Sequence, residues 1–251
     1  VYWLNGFFLL LVELKWPNAE LQERIDTFRA RYKIQKGNFL DVVVDGPKHR
    51  PGQLRVVHVV KNLILGQVFV LIPLAYILGW MSERDIGARN TQGKLPSSWE
   101  MVVDILGVVI VDEILFFYGH WLFHANKWLY KTVHKIHHEF QYPCGLVAAY
   151  CHPLEMLLSN VLPLGAGLVI FGVNYYTAFV WACAAVCGTQ THHSGYRWPY
   201  TLPFDEQPNY HDFHHKEFNT NYGLMGWLDG LHGTDHKYWA FKKAKAAKKS
   251  K

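Results

Sequence analysis

Histidine is the residue whose number and spacing point to chemistry in this sequence. Only His49 and His58 of the fifteen histidines precede residue 119. Three groups have the i, i+3 or i, i+4 spacing that places side chains on one face of a helix. Their eight members are His120, His124, His134, His137, His138, His211, His214 and His215. Each group is therefore expected to offer two or three imidazoles to one point.

These eight histidines predict a metal centre. Packing alone gives no reason to place imidazole repeatedly on one helical face, and several protonated rings there would repel one another. Metal binding removes this conflict, because neutral imidazole is the commonest metal ligand. Eight rings exceed the four ligands of a tetrahedral zinc and fit two metal ions in one pocket. Imidazole suits iron as well as zinc, and two irons could activate O₂ against an unactivated C–H bond of a lipid.

The apolar segments that must position these histidines have lengths typical of a membrane protein. Residues 63–80 carry no charge and are long enough to cross a hydrocarbon core of about 30 Å. Residues 99–118 follow a helix N-cap signal at 96–98 and are apolar except for three acids, which in such a helix usually face the interior or a site. The acids are Asp104, Asp112 and Glu113. Residues 156–187 are predicted to form two helices joined near residues 172–174. A soluble protein with buried helices is the alternative.

Composition excludes several classes of protein. Hydrophobic residues make up 50% of the 251 residues and charged residues 18%, which excludes a disordered chain or a coiled coil. The formal charge of +5 is concentrated in the lysines of residues 242–251, so no basic face for nucleic acid is expected. The four cysteines have no C-x-x-C spacing and are expected to be reduced thiols.

Further short motifs separate and follow the histidine groups. In chain order they are HWLFH at 120–124, LYKTVHKIHHEF at 129–140, AYCHPLE at 149–155, HSGY at 193–196, HDFHH at 211–215, NYG at 221–223 and DGLHGTD at 229–235. From about residue 113 to residue 235 this series resembles the fatty acid hydroxylase/sterol desaturase superfamily of membrane di-iron enzymes. Within it, the sequence is most similar to sterol 4-methyl oxidases and the related fatty-acid-hydroxylase-domain-containing proteins.

The resemblance implies roles for individual residues. The eight grouped histidines would be metal ligands and His193 a ninth. His152 is a candidate tenth, with hydrogen bonding beside the metal as the alternative. Four residues could orient the imidazoles, or simply make interior hydrogen bonds: Glu113, Glu155, Asp212 and Asn221. Trp121 stands where many members have arginine and Ala125 where many have a further histidine, but neither position is expected to bind metal. Three other histidines are expected to be structural: His192, His232 and His236.

The apolar segments and the resemblance together predict an all-α fold: an integral membrane helical bundle with a cytosolic, helical, histidine-rich metal-binding cap. Residues 1–118 would form the N-terminal membrane helices and polar loops. Residues 119–241 would form the fatty acid hydroxylase domain, including a membrane hairpin at 156–187. Residues 242–251 would form a lysine-rich cytosolic tail.

The implied activity is that of an O₂-dependent membrane non-haem di-iron monooxygenase, similar to methylsterol monooxygenases. It would hydroxylate or oxidise a C–H bond of a sterol 4-methyl group or of a fatty-acyl or sphingoid lipid. The cofactors would be two iron ions, which zinc can replace in purified protein. The sequence has no flavin or nicotinamide fingerprint, so electrons would come from NAD(P)H through cytochrome b5 and its reductase, by analogy with the family. The alternatives are a metal-binding, lipid-sensing regulator without turnover, and a metal-dependent isomerase or hydrolase.

The lysines at the C-terminal end suggest a location. Lys248 and Lys249 are similar to the dilysine retrieval signal of endoplasmic-reticulum membrane proteins. A charged tail that is attracted to anionic lipid is the alternative. Either interpretation places this tail in the cytosol. The retrieval signal, which is the favoured interpretation, predicts a multi-pass protein of the endoplasmic reticulum membrane whose C-terminus is cytosolic.

Overall fold

The computed structural model describes residues 1–38, 40–43, 53–82, 94–201 and 205–249, and most of these are helical. The α-helices are α1 (Tyr2–Leu10), α2 (Ala19–Tyr32), α3 (Val56–Gly66), α4 (Ile72–Ser82), α5 (Ser98–Ala125), α6 (Lys127–Thr132), α7 (Pro153–Glu155), α8 (Leu162–Ile170), α9 (Tyr175–His192), α10 (Asn209–Glu217), α11 (Trp227–His232) and α12 (His236–Lys249). Shorter 3₁₀ turns cover Leu11–Glu13, His134–Glu139 and Gly145–Val147.

The all-α expectation holds for most of the described chain but misses one pair of strands. β1 (Asp41–Val43) pairs in parallel with β2 (Gln53–Arg55). Leu54 at the centre of β2 is fully buried while its neighbours are half-buried, an alternation that an extended strand produces and a helix does not. Leu54 packs in a core with Leu10 and Phe140, so the pair joins the N-terminal region to the loop after the second histidine group.

Two helical stretches are long and apolar enough to cross a membrane. The first, Val56–Ile77, runs from α3 through the π-helical turn Gln67–Leu71 into α4. The second, Pro153–Ile170, runs from α7 through the π-helical segment Met156–Val161 into α8. In the most apolar 18 residues of each stretch, only 17% and 28%, respectively, are buried inside the protein. Apolar helix faces that are this exposed are suited to contact with lipid.

Helix α5 connects the apolar helices to the histidine-rich half. Its N-terminus carries a capping box at the predicted position, in which Ser97 accepts from the Glu100 N–H and Glu100 accepts from the Ser97 N–H. The helix is about 42 Å long at 1.5 Å per residue. It runs antiparallel to α8, and the two backbones approach closely where Gly167 lies against Val108. The far end of α5 carries the first histidine group.

Helices α8 and α9 are separated at the position where the sequence predicts a break between two helices. They are joined at Gly172, whose φ of +56° lies in the left-handed region that favours glycine, and Asn174 caps α9 by accepting from the Tyr176 N–H. The other end of α9 is held by α1. Gln190 accepts a hydrogen bond from the Asn5 side chain and donates one to the Tyr2 carbonyl, at 2.8 and 2.9 Å. These contacts fix the end of α9 from which His193 follows.

Helix α12 covers the outer face of α10. The ring of Phe213 lies 5.0 Å from that of Phe241, and the rings of Tyr210 and Tyr238 are 5.1 Å apart. Residues 242–249 of the predicted lysine-rich tail therefore belong to a helix that packs on the histidine-rich helix α10. Residues 250–251 lie outside the described residues.

Candidate metal centre

The nine histidines predicted as ligands form two clusters. Within each cluster, one ring nitrogen of every residue lies within 4.8 Å of the others, and every ring except that of His124 is buried. The five-ring cluster consists of His120, His124, His134, His138 and His214. The four-ring cluster consists of His137, His193, His211 and His215.

Histidines four residues apart share a cluster in all three sequence groups, but the remaining member of each triplet joins the other cluster. His137 thus belongs to the four-ring cluster, and His214 belongs to the five-ring cluster. The expectation that each sequence group converges on one point is wrong for these two groups. On α10 the reason is geometric, because successive side chains differ in direction by about 100° around the axis, so His214 and His215 face different neighbours.

The outer nitrogens of five rings fix their orientation. Each of these Nδ1 atoms lies within hydrogen-bond distance of a backbone carbonyl or carboxylate oxygen. The pairs are His120 with Tyr222 O (2.8 Å), His134 with Glu155 Oε1 (2.8 Å), His137 with Tyr150 O (3.4 Å), His193 with Thr189 O (2.8 Å) and His214 with Thr220 O (2.6 Å). Because such oxygens accept, Nδ1 donates and Nε2 keeps its lone pair for the cluster. This is how surrounding oxygens set the tautomer of metal-binding histidines.

The inner nitrogens are arranged as ligands of a shared ion. In the five-ring cluster the Nε2 atoms of His124, His134 and His138 form a triangle with sides of 2.8, 2.9 and 3.2 Å. In the four-ring cluster the Nε2 lone pairs of His137 and His193 face each other at 3.2 Å. A cation between such lone pairs satisfies them together. Two nitrogens bound at about 2.1 Å and at right angles to one ion lie about 3.0 Å apart, so the donor set fits a metal ion in each cluster.

Burial keeps these imidazoles in the form that binds metal. Desolvation lowers the pKa of His134 to about 3. Desolvation also holds the pKa of His138 and of His214 well below the ordinary value, and neighbouring imidazoles lower it further. Neutral imidazole is the ligand form, so the clusters present lone pairs at ordinary pH.

Glu155 is the one predicted orienting residue that contacts a cluster histidine directly. It lies at the start of the second apolar stretch, is 3% exposed, and accepts from His134 Nδ1 at 2.8 Å. Glu113 and Asn221 act on the loop that supplies acceptor oxygens instead. Glu113 Oε2 accepts from the backbone N–H groups of residues 224 and 225, at 2.7 and 2.9 Å. Asn221 adopts a φ of +60° and donates to the Tyr210 carbonyl, so the chain turns back toward the clusters.

Sequence reasoning missed Asp229, which fixes the same loop. Asp229 is fully buried, and its two carboxylate oxygens accept from the backbone N–H groups of Tyr222 and Gly223 at 2.8 and 2.7 Å. The Tyr222 carbonyl in turn accepts from His120. The motif DGLHGTD that begins at Asp229 was the available signal, but spacing alone does not show that its acid holds a backbone that orients a histidine.

An apolar cavity of about 230 Å³, the central cavity, adjoins both clusters. Its floor includes His120 of the five-ring cluster and His193 of the four-ring cluster, and its walls come from α5, α8 and α9 with side chains such as Phe116, Leu164 and Trp181. The same helices carry large apolar side chains on their outer faces, including Leu106, Ile110 and Phe179. The central cavity therefore lies between the histidine clusters and helix faces that are suited to lipid.

Comparison with known proteins identifies the family. Residues 105–234 match the Fatty acid hydroxylase family. The chain belongs to the fatty acid hydroxylase family. It is 32% identical over 250 residues to human fatty acid hydroxylase domain-containing protein 2, a match that covers 98% of this chain and 66% of the relative. It is 33% identical over 226 residues to the very-long-chain aldehyde decarbonylase GL1-8 of Oryza sativa subsp. indica, covering 87% of this chain and 78% of the relative.

A third relative of this fatty acid hydroxylase family protein is methylsterol monooxygenase 2-2 of Arabidopsis thaliana. The two are 32% identical over 194 residues, which are 74% of this chain and 71% of the relative. No solved structure is significantly similar to the chain. Family membership and the histidine clusters together indicate a metal site, and membership with the two apolar stretches indicates a membrane protein.

Two candidate site residues of this family member lie away from the clusters. His152 is half-buried and caps α7, where its Nδ1 accepts from the Leu154 N–H at 3.1 Å. Asp212 is buried on α10 beside a separate cavity of about 530 Å³ that also involves Lys216, and burial raises its pKa to about 7. The structure brings neither side chain into the two clusters.

The histidines expected to be structural also lie outside the clusters. His232 stacks on Phe117 with ring centres 5.2 Å apart. His236 is exposed and contacts the Gly233 carbonyl. His192 borders the central cavity next to His193.

Proposed function

We propose that this protein is an O₂-dependent, membrane-bound di-iron oxygenase that hydroxylates or oxidises an unactivated C–H bond of a lipid. The observation that carries the proposal is the presence of two adjacent imidazole clusters that border one apolar cavity. The proposed substrates are a sterol with a 4-methyl group or a fatty-acyl or sphingoid lipid. The proposed metal ligands are the nine histidines of the two clusters.

The donor set favours iron over structural zinc. Five imidazoles in one cluster exceed the four ligands of a tetrahedral zinc site, and imidazole is also a good ligand for iron. Bound iron would supply the O₂ reduction and the oxidising power that an unactivated C–H bond requires. The protein's own part is to hold the rings through their Nδ1 hydrogen bonds and to keep water out with the apolar walls of the central cavity.

The names of the relatives support a lipid substrate without choosing between classes. One relative is named a methylsterol monooxygenase and another a very-long-chain aldehyde decarbonylase. Sterols and long chains both require an apolar cavity next to the metal ions. The chain spans 66% of the length of the first relatives, so the activity proposed here is that of the histidine-rich region and its membrane helices.

Electrons are proposed to reach the clusters from NAD(P)H through cytochrome b5 and its reductase. Helix α10 carries three cluster histidines and packs against the lysine-rich helix α12, so the clusters and the lysines lie on the same side of the protein. Lysine-rich segments close to a membrane are attracted to the anionic lipids of its cytosolic surface. This supports a cytosolic metal-binding cap and C-terminus in the endoplasmic reticulum membrane, where a cytosolic electron donor would have access.

The test is oxygen incorporation by iron-loaded protein in lipid nanodiscs. Protein is supplied with cytochrome b5, its reductase, NADPH and, in turn, a 4-methylsterol, a ceramide, a long-chain fatty acid and a long-chain aldehyde. Mass spectrometry after reaction with isotopically labelled O₂ should show label in one product. His137→Ala should abolish the label, and His236→Ala, which changes an exposed ring outside both clusters, should not.

The alternatives give different outcomes in the same assay. Turnover without NADPH or O₂ would indicate an isomerase or hydrolase. Tight lipid binding by iron-loaded protein, with no O₂ consumption for any lipid, would indicate a regulator. Either outcome would overturn the oxygenase proposal.

A further inference from the structure

Asp112 is a buried acid that belongs to neither histidine cluster. It lies on α5, is 4% exposed and borders the central cavity. Within the part of the chain that the structure describes, no hydrogen bond or ion pair involves its carboxyl group. A buried polar group without a partner is costly, and an acid inside a membrane-length helix usually serves a site. The carboxyl group is therefore available to a ligand in the cavity.

A second unpartnered polar group borders the same cavity from the facing wall. Ser159 is 3% exposed, and its Oγ has no hydrogen-bond partner. It belongs to the π-helical segment Met156–Val161, and such segments occur frequently at functional sites. Ser159 packs against Gly119, next to the cluster histidine His120. Ser159 thus lies nearer the clusters than Asp112 does, and Glu113 Oε1 and Glu155 Oε2 are further buried oxygens in the same cavity without a partner among the described residues.

The helix geometry sets the distance between Asp112 and the metal centre. Asp112, Phe116 and His120 are spaced by four residues and follow one face of α5 into the central cavity. The eight residues from Asp112 to His120 correspond to about 12 Å along the axis. A ligand whose polar group reaches Asp112 can therefore place an atom about two helical turns away beside the five-ring cluster.

We propose that Asp112 is a binding subsite for the hydroxyl or amide N–H of a neutral lipid, and that Ser159 is a second hydrogen-bonding group nearer the clusters. A carboxylate accepts hydrogen bonds from such donors. A free fatty acid would instead bring a further carboxylate beside Asp112 and Glu113, whose Oε1 is also buried without a partner, and like charges repel strongly in an apolar cavity. The subsite selects lipid alcohols or amides over free fatty acids. It rests on the proposed function, which makes the cluster end of the cavity the reacting end.

Equilibrium binding of two matched probes tests the subsite without requiring turnover. Radiolabelled hexadecanol and palmitate are titrated at pH 9, so that the carboxyl groups of Asp112 and of palmitate are ionised, into metal-loaded protein in nanodiscs, and binding to protein-free nanodiscs is subtracted. Wild-type protein should bind hexadecanol at least about tenfold more tightly than palmitate, since one hydrogen bond to a charged group is worth roughly that factor. Asp112→Leu should weaken hexadecanol about tenfold. Asp112→Asn keeps an acceptor oxygen but removes the charge, so it should weaken hexadecanol less than Asp112→Leu does and should tighten palmitate.

The control is Asp104→Asn, which changes another buried acid of α5 that does not border the central cavity. It should leave the preference for hexadecanol unchanged. The metal content of each variant shows whether it is folded. If Asp112→Leu loses its metal, the test of the subsite rests on the palmitate affinity of Asp112→Asn alone. Equal binding of the two probes by wild-type protein, or no change in either Asp112 variant, overturns the subsite. Because binding is measured without O₂ or reductant, its result does not depend on turnover. The oxygenase proposal can therefore fail while the subsite is confirmed, and the subsite can fail while the oxygenase proposal is confirmed.

Discussion

His214 and His215 are neighbours on α10 that lie in different clusters, and replacing them one at a time tests this division. They are 0% and 1% exposed, so both substitutions remove a fully buried ring from the same helix. His214→Ala leaves four rings of the five-ring cluster, and His215→Ala leaves three rings of the four-ring cluster. Each variant is expected to hold one ion weakly and the other as wild-type protein does.

The magnitude follows from what one ligand contributes. Structural zinc sites with four ligands bind with an apparent free energy of about 10–16 kcal/mol, or roughly 2.5–4 kcal/mol per ligand. Because about 1.4 kcal/mol corresponds to a tenfold change in affinity, the loss of one imidazole should weaken one ion by roughly 10²–10³-fold. Iron per chain, measured over a series of chelator concentrations, should then show two separate release midpoints for each single variant.

Double variants make the test specific to the observed clusters. His120→Ala with His214→Ala removes two rings from the five-ring cluster and should release one ion. His214→Ala with His215→Ala removes one ring from each cluster and should release both ions at moderate chelator concentration. Circular dichroism of each variant checks that the helices persist. If a folded His120/His214 variant loses both ions, or a His214/His215 variant keeps one tightly, the division into clusters is incorrect.

Three further predictions concern the groups that support the clusters. Glu155→Ala should weaken iron binding about 10–100-fold, because the His134 ring loses its hydrogen-bond acceptor. Glu155→Gln keeps an acceptor oxygen and should weaken iron binding less. Chelator competition measures the affinity of both variants. Gly223→Ala places a Cβ 2.6 Å from a carboxylate oxygen and should lower the free energy of unfolding by about 1–3 kcal/mol, measured by denaturant titration. Gly230→Ala is the control, because its Cβ would meet nothing closer than 3.9 Å, and it should leave the free energy of unfolding unchanged. Burial raises the pKa of Glu206, but hydrogen bonds from a lysine and a tyrosine of α12 outweigh it and lower the pKa below the ordinary 4.5. The stabilisation by Glu206 is therefore present above pH 4.5 and is lost as the pH falls through the pKa that Glu206 has in the folded protein. Hydrogen exchange in α12 should accordingly become faster in that acid range. Glu206→Gln should remove this dependence of hydrogen exchange on pH.

Local signals in the sequence predicted the elements that carry the site. The capping box at Ser97 starts α5 where the sequence places it, because the side-chain and backbone groups involved are only three residues apart. The break between α8 and α9 falls at Gly172, a residue that tolerates the left-handed turn required there. The strand pair β1–β2 was missed because its stability comes from Leu54 in a core built from distant segments.

The residues that orient the histidines were harder to predict. Glu155 contacts the cluster histidine His134 directly, and the resemblance singled it out. The other four acceptors are backbone carbonyls, such as those of Tyr222 and Thr220, which every residue type possesses and which no sequence pattern marks. Asp229 acts on one of these carbonyls through the backbone, and this link exists only in the folded loop.

The sequence alone determined that many imidazoles would meet next to apolar helices, because histidine spacing and hydrophobic length are properties of short segments. Which rings lie in the same cluster was decided by the tertiary structure. A step of one residue turns a side chain by about 100° on a helix, and only the packing of α5, α9 and α10 around the central cavity sets what lies in each direction. The same packing leaves the Asp112 carboxyl group at the central cavity without a partner in the part of the chain that the structure describes. The sequence showed that an acid in this apolar helix is unusual, but it could not show which cavity the acid borders.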